Sequence, residues 1–165
     1  MRPTQINITA PLGGQSVAFA GGSYRMLVTG DQTNNEFAVI DMIVPPHAGP
    51  NPHAHAQIQE SFYMIEGELT FRTETQTYVA RKGAFIEIPL GGTIHNFKNE
   101  TGSNAHVICM VAPAGMEKMF LELGEPVGAG ELRPMSPPAP EELKRIMAIA
   151  EKYGQELFPP DYFEK

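Results

Sequence analysis

The stretch PNPHAHAQIQE, Pro50 to Glu60, places His53 and His55 two residues apart and Glu60 five residues beyond the second. On an extended chain, side chains two apart project from one face, as two ligands of one metal ion must. Glu60 has the opposite parity. It joins the histidines only if a turn or bulge intervenes, and the polar AQIQ between His55 and the apolar strand around Phe62 is the place for one. His95, which follows the turn PLGGT and heads the run IHNFKN, is a fourth candidate. Three imidazoles and one carboxylate suit one divalent transition metal ion with room left for water or substrate. Mn, Fe, Co, Ni, Cu and Zn all accept such donors, and geometry and supply choose among them. An HxH pair alone occurs often by chance. The spaced glutamate, Gly67 seven residues after it and the cluster around His95 make the set far more specific.

These residues need a scaffold of short elements. Nine runs rich in β-formers lie between Ser16 and Ala112: SVAFA, YRMLVT, EFAVIDMIV, ESFYMIE, ELTFRT, TYVAR, AFIEIP, IHNFKN and AHVICMVAP. Gly21-Gly22, Gly30-Asp31, Pro45-Pro46, Gly83 and Gly91-Gly92 break them, and Gly67-Glu68 reads as a hairpin turn. The fold class is all-β and antiparallel. In ESFYMIE the alternate sets Glu60, Phe62, Met64 and Ser61, Tyr63, Ile65 are both largely apolar, which predicts strands buried on both sides or facing a second subunit. After Pro113, AGMEKMFLELG predicts a short helix with Met116, Met119, Phe120 and Leu123 on one face. A Pro/Gly-rich linker leads to EELKRIMAIAEKYG, whose stripe of Leu143, Ile146, Met147, Ala150 and Tyr153 predicts an amphipathic helix docked on the body.

Bulk composition excludes several partners. The 165 residues, 42% hydrophobic, suffice for one domain with a real core. Twelve Lys plus Arg against 19 Asp plus Glu give a net charge of -7, which repels phosphate backbones and anionic lipid, so neither nucleic acid nor membrane is expected as a partner. Cys109 is the sole cysteine, so no internal disulfide forms. Residues 1–12 show neither a basic n-region nor an apolar h-region, and the expected location is the cytoplasm.

Other residues read as ordinary. His47 fits no ligand spacing, His106 heads a strand, and Cys109 among apolar neighbours reads as a buried inert thiol. Phe62, Met64, Phe71 and Phe97 flank the candidate ligands and are candidate walls of a substrate pocket. Glu87 is a charge in an apolar strand that needs a partner or water. Asn99 reads as a structural turn residue.

The two stretches resemble the paired motifs of the cupin superfamily. GPNPHAHAQIQESFYMIEG is similar to the first, with Gly49, His53, His55, Glu60 and Gly67 in its places. GAFIEIPLGGTIHNFKN is similar to the second, with Gly83, Pro89, Gly91, His95 and Asn99. Gly49 lies two residues nearer His53 than the pattern has it, and one extra residue separates Gly91 from His95; both departures fall in turns. The whole chain further resembles bacterial single-domain cupins of the quercetinase-like group. The resemblance implies a double-stranded β-helix, or jelly-roll barrel, over residues 1–113, with residues 114–165 a helical extension packed on the barrel or on a partner subunit. It implies a metal held by His53, His55, Glu60 and His95, a homodimer, and a dioxygenase in which Glu60 takes the proton of a small aromatic or enolic substrate before O2 attacks. Because cupins host many reactions, a non-redox isomerase, epimerase or lyase, or a binding module without turnover, is also open.

Overall fold

The computed structural model describes residues 2, 4–134 and 136–164. In chain order the elements are β1 (Ser16–Phe19), β2 (Gly22–Val28), α1 (Gly30–Thr33), β3 (Ala38–Val44), β4 (His53–Ala54), β5 (Gln59–Glu66), β6 (Glu68–Thr73), β7 (Thr77–Arg81) and β8 (Phe85–Ile88). There follow β9 (His95–Lys98), β10 (Ala105–Ala112), α2 (Met116–Leu123), β11 (Glu125–Pro126), α3 (Pro140–Lys152), β12 (Glu156–Leu157) and a last 3-10 turn, Tyr162–Glu164. All nine expected runs contain strands. Three two-residue strands, β4, β11 and β12, are too short to leave a periodic signal.

The strands form two antiparallel sheets ordered β11-β1-β2-β3-β10-β5-β8 and β12-β4-β9-β6-β7. Together they make a jelly-roll β-barrel. Alternation resolves the faces that composition left ambiguous: Glu60, Phe62 and Met64 point inward from β5, Ser61 and Ile65 are half-buried, and Tyr63 is exposed. The same alternation buries Ala38, Ile40, Met42 and Val44 on β3 and Val107, Cys109 and Val111 on β10. Strands with two apolar faces thus have one buried side and one partly open side.

Gly67 is not a hairpin turn. β5 pairs with β10 and β8, whereas β6 pairs with β7 and β9, so the chain crosses at Gly67 from one sheet to the other. The position has φ +78°, and a Cβ there would meet the Ala105 Cα at 2.8 Å. Only glycine allows both the bend and that approach. The crossing puts Phe62 of β5 against Phe71 of β6 and Phe97 of β9, with ring centroids 5.2 and 5.4 Å away. This aromatic cluster joins the sheets.

The Gly30-Asp31 break is instead the single-turn helix α1. Thr29 and Gln32 are its signature, the Gln32 side chain accepting the Thr29 N–H at 2.9 Å. Helix α2 packs as its sequence pattern requires, with Met116, Met119, Phe120 and Leu123 buried. Its Glu117 is fully buried and accepts the N–H groups of Gly30 at 3.0 Å and Gly115 at 2.6 Å. Both donors lose their partner in Glu117→Ala. A stability loss of roughly 1–3 kcal/mol is expected from stranding one buried and one half-buried donor; a denaturant midpoint equal to wild type would show that water replaces the carboxylate.

Helix α3 lies on α2 and β12, but its buried stripe is displaced from the one that periodicity suggested. Ile149 and Ala150 are buried, with Ile146 and Tyr153 packed at the margin, whereas Leu143 and Met147 are 47% and 49% exposed. One narrow contact with α2 accommodates only the 146/149/150/153 ridge. Lys152 and Tyr153 secure it on Glu122 at 2.7 and 2.8 Å.

Candidate metal centre

His53 occupies β4, His55 follows it, and the Ala56-Gln57 turn then carries the chain into β5 with the parity changed, so that Glu60 faces the histidines from the opposite sheet. Strand β4 is held on both sides, His53 pairing with His95 of β9 and with Leu157 of β12. His95 in turn pairs with Thr73 at the end of β6. One ligating atom from each of His53, His55, Glu60 and His95 lies within 4.8 Å of the others, and all four side chains are buried.

Each imidazole is oriented by a backbone carbonyl. Nδ1 of His53 donates to Asn51 O at 3.0 Å, Nδ1 of His55 to Ile58 O at 2.8 Å and Nδ1 of His95 to Thr93 O at 2.8 Å. In the neutral rings these bonds put the proton on Nδ1 and the lone pair on Nε2. Glu60 Oε2 lies 3.1 Å from His55 Nε2 and 3.5 Å from His95 Nε2, and the His95 Nε2 has no hydrogen-bond partner. Three lone pairs and a carboxylate converging in a buried space form an acceptor-only set. A divalent cation satisfies it, so these residues fit a metal ion.

The electrostatics follow from the same packing. Burial, reinforced by His95, lowers the His53 imidazole to about 4. For Glu60, burial would raise the carboxyl, but the His55 and His95 imidazoles beside it outweigh burial and hold it well below the usual range. Burial likewise opposes charge on His55, and the Glu60 carboxylate prevails and raises it. Desolvation and Glu60 push the Cys109 thiol far up, so it remains S–H.

A cavity of about 180 Å³ opens beside His95, lined by Phe71, Arg72, Gln76, Tyr78, Glu87 and Ile88 among others. Of the four candidate wall residues, only Phe71 reaches it. Phe62, Met64 and Phe97 are packed into the core, because their inward parity places them between the sheets rather than at the open end. Glu87 is exposed and accepts from Gln59 Nε2 at 2.8 Å. Buried Asn99 clamps its loop, its Nδ2 donating to Val44 O and Ser103 O and its Oδ1 accepting from Thr101. His47 is exposed, and His106 pairs with Asp41 across β10 and β3, both apart from the cluster.

Sequence reasoning did not anticipate β12. This strand edges β4, and Phe158 N–H donates to Pro52 O at 2.9 Å, so the C-terminal segment braces the HxH strand. Two residues of pairing leave no pattern to read. Phe158→Pro removes that donor, worth roughly 0.5–1.5 kcal/mol. A several-fold weaker Co2+ affinity by titration is expected, and wild-type affinity would mean that β9 alone fixes His53.

Among the described residues no helix is long and apolar enough to cross a membrane. A family model described as Cupin domain matches residues 40–111. The chain is 27% identical over 139 residues to quercetin 2,3-dioxygenase of Bacillus subtilis, an alignment that covers 78% of this chain and 40% of that protein. It therefore spans about 40% of the length of the curated relative it matches. Among solved structures, ectoine synthase from P. lautus superposes with a TM-score of 0.54 at 19% identity, over 75% of this chain and 86% of that one. KdgF from Halomonas sp. superposes with a TM-score of 0.55 at 13% identity, over 63% and 89%. At these identities the two structures share the fold. Two-sheet barrel, paired glycine-histidine motifs and family match thus coincide, and residues 40–111 of this chain are a cupin domain.

Proposed function

We propose that the chain is a metal-dependent dioxygenase that cleaves a small aromatic or enolic substrate with O2. The observation that carries this reading is the placement of Glu60, whose Oε2 faces the centre between two imidazole nitrogens in a water-poor site. His53, His55, His95 and Glu60 would hold the ion. When bound, a divalent metal supplies Lewis acidity that lowers the pKa of a substrate hydroxyl by several units. Glu60 would accept that proton, and Phe71 and Ile88 on the cavity wall would limit the access of bulk water to the resulting enolate, whose electron-rich carbon is where O2 adds. The similarity to a quercetin 2,3-dioxygenase supports the assignment.

The cavity limits the substrate. At about 180 Å³ it holds roughly six waters' worth of volume, below the roughly 300–1,000 Å³ of pockets that enclose a drug-sized ligand. A single-ring or open-chain enol fits, and a larger polyphenol would extend into solvent. Arg72, Gln76 and Glu87 make the lining more polar than the sequence suggested, which favours as second reading a non-redox isomerase, epimerase or lyase. A homodimer is supported by the outer face of the large sheet, where Tyr63 and Phe85 are exposed beside half-buried Ile108 and Met110. Oxygen uptake measured beside substrate loss, across small enols, catechols and flavonols, tests the assignment. One O2 consumed per substrate is expected, and turnover without oxygen uptake would establish the second reading instead.

A further inference from the structure

The two oxygens of Glu60 have different surroundings. Oε2 is directed at His55 and His95, whereas Oε1 is turned away and accepts the S–H of Cys109 at 3.2 Å. Cys109 is 1% exposed and Glu60 5%. The cysteine lies on β10 opposite Phe62 of β5 and Ile40 of β3, while Val111 is opposite Glu60, so thiol and carboxylate meet as diagonal neighbours on the inner face. Among the described residues no other side chain or backbone group donates to Oε1. The sulfur is outside the four-donor cluster.

An unpaired carboxylate oxygen at this buried position, with Val111 opposite Glu60, would be costly, and it would be free to swing inward. A thiol, with a pKa of about 8.5 when unperturbed, is an S–H donor at neutral pH. It is also small and apolar enough for a wall built of valine and phenylalanine. We propose that Cys109 is a positioning residue: its S–H holds Glu60 Oε1 and so presents Oε2 alone to the metal-binding centre. The inference rests on the metal reading of the four-residue cluster. It assigns Cys109 no role as ligand or nucleophile.

Co2+ titration of wild type, Cys109→Val, Cys109→Ala and Cys109→Ser, followed by visible absorption, tests this. Val keeps the packing without a donor, and Ser restores a donor. Loss of a group that orients a ligand typically weakens metal affinity about 10- to 100-fold, and that loss is expected for Val and Ala together with shifted d–d bands. Ser is expected to recover most of the affinity and the wild-type band pattern. Wild-type affinity and bands in both Val and Ala would overturn the positioning role while leaving the metal centre intact; failure of wild type to bind Co2+ would overturn the metal reading and this inference with it. A second measurement needs no cysteine variant. Because Cys109 is the sole cysteine, its S–H stretch is identifiable in the infrared spectrum. A lower frequency is expected in wild type than in Glu60→Leu, which has no acceptor, and identical bands would show that the thiol donates nothing to Glu60.

Discussion

Glu60→Gln is expected to keep much of its bound metal while losing turnover by about 100- to 10,000-fold, the range of a general base. The substitution preserves size, and the new amide can donate to His55 Nε2, which lies 3.1 Å from Oε2 in the native protein. The buried cluster therefore stays satisfied and the barrel folds. Basicity is what disappears: the native carboxylate is held ionised by His55 and His95 against the push of burial, and an amide has no charge to receive a proton. Three imidazoles remain to retain the ion. Activity and metal content measured on the same preparation separate the two functions of the residue. Excess metal is expected to leave the rate low. Full recovery on metal loading would reduce Glu60 to a ligand and move the proton transfer elsewhere.

His95→Ala is expected to abolish tight metal binding, a larger loss than the roughly 10- to 100-fold that follows removal of a supporting group. In the proposed metal centre His95 is the ligand from the second motif. Its Nε2 is buried with no hydrogen-bond partner, which leaves it free for the proposed cation. The consequence is visible without an assay of turnover. A ligand present at about 100 times its Kd stabilises a folded protein by about 2.7 kcal/mol, so the wild-type melting temperature is expected to rise on adding Co2+ or Zn2+ and to fall back with chelator. The His95→Ala variant is expected to show no such rise. His47→Ala and His106→Ala should behave as wild type, since His47 is exposed and His106 is engaged with Asp41. A metal-induced shift that survives in His95→Ala and vanishes in His106→Ala would place the ion on the wrong side of the sheet for this centre.

The local content of the chain was legible without coordinates. Runs of β-formers and turn residues located nine strands, because strand preference and glycine's access to positive φ are properties of a few adjacent residues. The jelly-roll class followed from the resemblance of two short stretches, and the same stretches named the four side chains that the structure gathers within 4.8 Å. Parity argued that a turn must separate His55 from Glu60, and one does. What failed was whatever depends on a partner distant in sequence. Gly67 reads as a hairpin but is a crossing between sheets, since the identity of the neighbouring strand is not written in the turn. Phe62, Met64 and Phe97 read as pocket walls but close the core, because the flank of a ligand and the mouth of a barrel differ only in three dimensions.

For this protein, then, sequence alone determined the chemistry available: an HxH pair, a glutamate at a turn's remove and a third histidine after a glycine turn, on or beside short antiparallel strands. Tertiary structure decided how that chemistry is arranged. It set Nδ1 of each histidine on a carbonyl, leaving three Nε2 lone pairs directed inward. It brought β12, about a hundred residues downstream, to the edge of β4, and put the Cys109 thiol on the far oxygen of Glu60. The physical reason is that hydrogen bonds and burial are pairwise properties of surfaces that meet only on folding, whereas periodicity and backbone preference belong to each residue and its immediate neighbours.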